Sequence, residues 1–187
     1  MSRWFVYFLF YSFAGYGLEK LHARFYHSPR QVRKCFLLLP LCPVYGLAMI
    51  ALLALAPERI SFFPLMLLGG GVCTAVEYLV HLFYDKVLGV WYWDYRPMRG
   101  HVGGRICPQF ALIWGLLSAV AVRWVQPGAE AVAAAMPSWS VFLLWMVLAA
   151  DCVLSWTLLR QYGDTELLTV RAVAAQMRAS SQSSTSL

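Results

Sequence analysis

Three ionisable residues, Glu77, His81 and Asp85, recur at every fourth position of one apolar run. At this spacing all three side chains project from the same face of a helix. With a rise of about 1.5 Å per residue, Glu77 would lie about 12 Å further along the helix than Asp85. An acid near the centre of a bilayer costs about 2.5–3.5 kcal/mol on insertion scales, so this face is expected to be wet or paired. The row therefore predicts a polar path that runs from one membrane surface toward the membrane centre.

Three interpretations of this row remain open from the residues alone. Carboxylate and imidazole groups suit zinc or manganese, but one helix supplies too few ligands, and we predict no metal site. The row could instead line an ion or proton path or a polar substrate pocket. It could also form structural ion pairs with arginines such as Arg105. Asp151, the other acid deep inside an apolar run, has no role that the sequence defines.

Five apolar runs, each close to the 20 residues that cross a bilayer core, position these groups: Trp4–Leu21, Phe36–Ala56, Ile60–Tyr84, Ile106–Val125 and Trp139–Leu159. Of the 187 residues, 60% are hydrophobic and only 13% are charged, against about 25% in soluble domains. We predict an all-α fold, a polytopic integral membrane bundle with about five transmembrane helices. Residues 1–160 would form the transmembrane domain and residues 161–187 a polar cytoplasmic tail, disordered at its end.

Basic residues are distributed unequally between the two ends of these runs. Twelve lie in the first and third connections and the tail, and three, Arg3, Arg59 and Arg123, lie on the opposite side. The positive-inside rule then places the N-terminus outside and the C-terminus in the cytoplasm. The formal charge of +6 is explained by topology, so we expect no nucleic-acid partner. The predicted location is the bacterial cytoplasmic (inner) membrane.

Signatures of soluble enzymes are missing from the chain. No lysine follows a glycine as a Walker A motif requires, and neither HExxH nor GxSxG occurs. We therefore predict no ATPase, no cofactor and no conventional catalytic residue in this chain. Intramembrane catalysis by Glu19, Glu77 or Asp94 stays open, because a buried acid can serve as a general acid or base.

The second and fourth runs both begin irregularly. Pro40 and Pro43 remove backbone donors at the start of the second run, and such backbone is tolerated at membrane depth only where protein or a water-filled cavity covers it. The connection before the fourth run contains the aromatic segment 91–95, which suits the headgroup layer. Gly103 and Gly104 would let this connection fold back, so that Arg105 points inward to a carboxylate of Asp94, Asp85 or Glu77 under a cover of tryptophans.

Six separated motifs follow one another along the chain: Gly17-Leu18-Glu19, Pro40-Leu41-Cys42-Pro43-Val44-Tyr45-Gly46, Glu77-Tyr78-Leu79, Trp93-Asp94-Tyr95, Gly104-Arg105-Ile106-Cys107 and Trp114-Gly115. Over roughly residues 4–160 the chain resembles the bacterial membrane family labelled putative ABC-transporter type IV, or ABC transporter permease. It departs from the usual family pattern at Arg33-Lys34-Cys35, at His101 and at Asp85. The resemblance implies a membrane component of a transporter.

We therefore predict a permease-like transport component with a polar cavity on the cytoplasmic side. Its substrate or ion path would be lined by Glu19, Tyr45, Glu77, Asp85, Asp94 and Arg105. The expected partners are membrane lipids, a separate ATPase or other transporter subunit, and a second copy of the chain. Two alternatives remain: an intramembrane enzyme acting on a lipid or envelope precursor, and a non-catalytic membrane assembly factor.

Overall fold

The computed structural model describes residues 2–25 and 36–162, and within these ranges every regular element is helical. The helices are α1 (Ser2–Phe25), α2 (Pro43–Leu55), α3 (Phe62–Phe83), α4 (Pro108–Val120), α5 (Gln126–Ala135) and α6 (Ser138–Tyr162). A π-helical turn, Tyr84–Leu88, continues α3, and a second, Ala121–Val125, joins α4 to α5. The predicted all-α fold is confirmed. Nearly all of the predicted tail lies outside the described residues.

Among the residues that the structure describes, three helical stretches are long and apolar enough to cross a membrane: Phe62–Leu88, Pro108–Ala135 and Ser138–Gln161. Helix α1 has the length, at 24 residues, but its tyrosines and glycines and the Glu19-Lys20 pair lower its hydropathy. Helix α2 has only 13 residues and would rise about 20 Å, short of the hydrocarbon thickness. The five predicted runs thus become five helical stretches, of which three have the length and hydropathy of complete spans.

Proline chemistry explains why the second run is only partly helical. Residues 36–42 are non-helical, and α2 begins at Pro43, where the missing N–H is not needed. Cys42, the residue before this proline, is extended, because proline disfavours the helical region for its neighbour. Helix α4 begins in the same way, with extended Cys107 before Pro108. The predicted irregular start of the second run is confirmed.

The fourth predicted run ends at Val125, but the helix continues to Ala135. A proline inside a helix loses a hydrogen bond and clashes with the preceding turn, and Pro127 lies two residues beyond this predicted end. The π-helical turn Ala121–Val125 lies immediately before it and widens the helix there. Pro127 then occupies the first turn of α5, where its ring is tolerated.

Small residues allow α3 and α4 to pack closely. A methyl group added at Gly70 would meet the carbonyl oxygen of Ala111 at 3.1 Å and the Cα of Gly115 at 3.7 Å. Gly69 similarly faces Ser118. Between helices in lipid such close packing supplies association that the hydrophobic effect cannot.

The remaining helices surround this pair. Helix α2 packs between α1 and α3, joined to α3 by a short turn, and α5 packs against α1 through the bond from Tyr11 Oη to Gln126 Oε1 at 2.9 Å. Helix α6 is exposed over most of its surface. Its buried residues Asp151, Ser155 and Leu159 recur every four positions and mark the single face that it turns toward the protein.

Candidate functional site

The connection from Gly89 to Cys107 folds back along α3, so that alternate loop residues meet the row of ionisable residues. Three pairs result: Asp85 with Trp91, His81 with Trp93, and Glu77 with Tyr95. The match has a simple geometric basis. Four residues of helix rise about 6 Å, and two residues of extended chain advance about 6.6 Å, so each step of the loop keeps register with one turn of the helix.

Asp85 lies at the end of the row nearest to the turn that ends α3. Its Oδ1 accepts a hydrogen bond from the Trp91 indole at 2.7 Å, and its Oδ2 accepts one from Arg105 Nη2 at 2.6 Å. The side chains of Asp85 and Arg105 are 18% and 16% exposed, so the pair is largely shielded from water. The prediction that Arg105 points inward to a carboxylate is confirmed, and the carboxylate is that of Asp85.

Asp94 does not join this pair. Its carboxylate holds Arg96, with Arg96 Nε donating at 3.0 and 2.8 Å and Arg96 Nη2 at 2.6 Å. These charge-assisted hydrogen bonds keep the pKa of Asp94 below its ordinary value. Both side chains are exposed, at 36% and 65%. The structure therefore brings Asp94 to the solvent side of the loop and separates it from the row on α3.

His81 occupies the middle of the row and is completely buried. Its Nε2 donates to the carbonyl oxygen of Trp93 at 3.0 Å, and its ring lies edge-on to the indoles of Trp91 and Trp93, with centroids 4.8 and 5.0 Å away. The Trp93 indole in turn donates to the carbonyl oxygen of Arg105 at 2.9 Å. His81 thus fixes the loop to the helix, a role that its spacing did not identify.

Glu77 lies deepest in the row and is only 4% exposed. The Tyr95 hydroxyl donates to its Oε1 at 2.8 Å, and the Trp114 side chain lies close to the same carboxyl group. Burial raises the pKa of Tyr95 well above its ordinary value, so its hydroxyl remains a donor. Within the described residues, Oε2 of Glu77 has no hydrogen-bond partner and no cation lies within ion-pair distance of the carboxyl group.

Glu19 of α1 approaches the same region from the other side. Its Oε1 accepts a hydrogen bond from the Tyr45 hydroxyl at 3.0 Å, and the Tyr45 ring lies 4.8 Å from that of Trp114. The Tyr45 ring rests directly on Gly15, where any side chain would overlap it. Trp114 in turn lies beside Glu77, so the rings of Tyr45 and Trp114 connect the two acids. We call Glu19, Tyr45, Glu77, Tyr95 and Trp114 the acidic cluster.

Two glycines close the loop on itself. Gly103 and Gly104 have φ values of +57° and +74°, which side-chain-bearing residues rarely adopt. The Tyr95 amide donates to the carbonyl oxygen of Gly104 at 2.8 Å, so this turn lies directly beside the aromatic segment. The predicted fold-back is confirmed. Alternate residues of the aromatic segment face α3, so the segment packs on this helix through Trp91, Trp93 and Tyr95.

Asp151 has a defined contact that the sequence did not reveal. Its two carboxylate oxygens accept the amide hydrogens of Leu38 and Leu39, both at 3.1 Å. These amides belong to the non-helical segment 36–42, whose backbone groups need partners away from water. Two features of the sequence could have indicated this contact: an acid inside one apolar run, and another run whose start is interrupted by prolines and so has unpaired backbone groups.

The described residues contain no group of three or more His, Cys, Asp or Glu side chains that could hold a metal ion. An apolar groove of about 550 Å³ lies along α2 and α3, and Trp4 of α1 contributes to its wall. None of the predicted site residues lines this groove. Of those six residues, the structure groups Glu19, Tyr45 and Glu77 at one level and Asp85 with Arg105 at another.

Comparison with known families gives one match. The family described as "Putative ABC-transporter type IV" matches residues 6–156 of the chain. No curated protein and no solved structure matches it. The matched region covers the six described helices, except for the first residues of α1 and the last residues of α6. It also includes the acidic cluster and the folded-back loop.

Proposed function

Because the chain belongs to the putative ABC-transporter type IV family, we propose that it is a permease-like component of a membrane transport system. Its apolar helices and its family make it an integral membrane protein. We place it in the bacterial inner membrane. Energy from nucleotide hydrolysis would come from a separate ATPase subunit, since this sequence carries no Walker A motif.

The proposed topology puts the N-terminus outside and the C-terminus in the cytoplasm, with α1 and α2 completing five membrane-embedded helices. The asymmetry of basic residues supports this orientation. The pairing of Asp85 with Arg105 then lies toward the cytoplasm, and Glu77 lies about two turns deeper. The loop Gly89–Cys107 would cover a polar site that opens on the cytoplasmic side.

The observation that carries this proposal is the burial of Glu77 without a basic partner among the described residues. An ionisable side chain inside a membrane span is costly and typically marks a substrate or ion pathway. Glu77 is almost fully buried and, within the described residues, has one unpartnered oxygen; it contacts the covering loop through Tyr95 and lies beside Trp114 of α4. A purely structural acid would be expected to have both carboxylate oxygens satisfied, as Asp85 and Asp151 do.

Transport can be tested without knowing the substrate. Cells lacking the protein are complemented with the wild type, with Glu77→Gln or with the control Glu58→Gln, an exposed acid between α2 and α3, and metabolites inside and outside the cells are compared by mass spectrometry. We expect the wild type and Glu58→Gln to redistribute at least one metabolite. Glu77→Gln should abolish this effect at an equal amount of protein in the membrane.

Affinity purification from the same strains tests the partner. A nucleotide-hydrolysing subunit should co-purify with the wild type and with Glu77→Gln, because the substitution lies away from the protein surface. Enrichment of lipid or envelope precursors changed in structure, with no redistribution across the membrane, would contradict transport and indicate an intramembrane enzyme.

A further inference from the structure

We propose that the acidic cluster binds a primary ammonium group, so that the transported substrate is a protonated amine. This inference rests on the proposed transport function and defines the chemical class of its substrate. It comes from three features of the cluster: its charge, its unsatisfied acceptors and its aromatic walls.

Charge is the first feature. Glu19 is bonded to Tyr45, whose ring contacts that of Trp114 beside Glu77, and neither acid forms an ion pair within the described residues. The nearest arginine along the row, Arg105, is held by Asp85, which lies about 12 Å from Glu77 along α3. Two acids together without a cation favour a positively charged ligand.

Unsatisfied acceptors are the second feature. Oε2 of Glu77 is buried without a hydrogen-bond donor, and so is Oγ1 of Thr74, one turn earlier on α3. Residues three apart on a helix are neighbours, so both oxygens can serve one ligand. A primary ammonium offers three N–H donors, whereas a quaternary ammonium offers none. The unpartnered oxygens therefore favour a primary amine.

Aromatic walls are the third feature. The rings of Tyr45 and Trp114 lie 4.8 Å apart beside Glu19 and Glu77, and Tyr95 stacks on Phe110 at 4.7 Å. Aromatic faces attract ammonium groups and also accommodate the alkyl part of an amine. A hard metal ion would need a larger set of oxygen ligands, and the described residues provide no such group.

Binding can be measured on the purified protein in lipid nanodiscs. The probes are butylammonium, tetramethylammonium and sodium chlorides at constant ionic strength, and the readouts are tryptophan fluorescence and the unfolding temperature. We expect saturable binding of butylammonium that tetramethylammonium and sodium do not reproduce. Glu77→Gln should weaken this binding about tenfold or more, because a charged hydrogen-bond acceptor is lost.

Two further variants guard against misfolding of Glu77→Gln. Tyr45→Phe keeps the ring but releases Glu19, and Trp114→Phe shortens one wall; both should weaken butylammonium binding. Glu58→Gln, an exposed acid in the turn between α2 and α3, is the matched control and should bind like the wild type. Equal responses to sodium or to tetramethylammonium, or equal binding by Glu77→Gln, would overturn the proposal.

The two proposals can fail separately. Glu77-dependent redistribution of metabolites without butylammonium binding would leave the permease function standing and reject the amine class. Butylammonium binding without any redistribution would leave the ammonium site standing and reject transport.

Discussion

Arg105 Nη2 donates to Asp85 Oδ2 at 2.6 Å, and this contact joins the second half of the folded-back loop to the π-helical turn that continues α3. Arginine stays charged at any accessible pH and offers several donors, so the pair is stable against titration of the cation. The loop between the two residues contains Trp91, Trp93 and Tyr95, whose side chains contact Asp85, His81 and Glu77 respectively. The pair therefore closes the loop over the acidic cluster.

The first prediction concerns this pair. Asp85→Asn and Arg105→Gln should each lower the unfolding temperature, and the double variant should lose less than the sum of the two, because each single change leaves one charge unpaired. Arg105→Lys should be intermediate, since lysine lacks the planar fork. The unfolding temperatures of the wild type, the two single variants and the double variant, measured in detergent, give this double-mutant cycle. Strict additivity would show that the two side chains do not interact in solution.

The second prediction concerns Asp151. Asp151→Ala leaves the amides of Leu38 and Leu39 without their acceptor, and each orphaned amide costs about 1–3 kcal/mol. Hydrogen exchange at these two amides should accelerate, and exchange in α4 should change little. Thr157→Ala, which removes an exposed hydroxyl bond on the same helix, is the control. Unchanged exchange at Leu38 and Leu39 would exclude the assigned contact.

The sequence predicted the row of ionisable residues on α3 and the fold-back of the loop, but not the individual contacts between the loop and the row. The four-residue spacing of Glu77, His81 and Asp85 depends only on helix geometry, so their common face could be read directly from the chain. The inward direction of Arg105 was also predictable, since the loop has glycines that permit a fold-back. These features depend on local periodicity and short chain separations.

Contacts between distant segments were not predictable in the same way. The separation between Leu38 and Asp151 is 113 residues, and no local pattern says which of several apolar helices will pack beside segment 36–42. Asp94 was assigned to the polar path because it is an acid in the right loop. In the structure its carboxylate pairs with Arg96, two residues away, at the surface of the loop, and it does not contact the row on α3.

The third prediction concerns Gly104. At φ +74° an alanine would be strained by about 1–2 kcal/mol, and its methyl group would meet Arg96 Cγ and Asp94 Oδ1 at 2.9 Å. Gly104→Ala should therefore loosen the loop and increase its cleavage by a soluble protease. Gly71→Ala, on α3 with no atom within 4 Å, is the matched control and should be neutral or slightly stabilising. Equal cleavage of the two variants would contradict the close fit.

The fourth prediction concerns acid pH. The pKa of Asp94 is lowered by Arg96, so the pair contributes fully above the ordinary aspartate pKa and is lost as the pH falls through the lowered value. Arg96 lies 5.0 Å from the Trp91 ring, so that fluorescence should report its release. Asp94→Asn should remove the step due to release of Arg96 and leave the step due to Asp85, whose carboxylate accepts a hydrogen bond from the Trp91 indole. An acid transition of the same amplitude in Asp94→Asn as in the wild type would assign the whole change to Asp85.

The last prediction concerns topology, on which the cytoplasmic position of the loop depends. A reporter fused after Leu187 should be active in the cytoplasm, and one inserted at Pro57, between α2 and α3, should be external. A third insertion at Met98, in the middle of the folded-back loop, should report the cytoplasm with the first, because the loop begins and ends on the same side of α3 and α4. The three sites together separate the orientation from the number of spans. An external signal at Met98 would mean that the orientation is the reverse of the one proposed, with Asp85 and Arg105 toward the outside. If the reporters at Leu187 and Pro57 were on the same side, the proposed number of membrane crossings between them would be wrong.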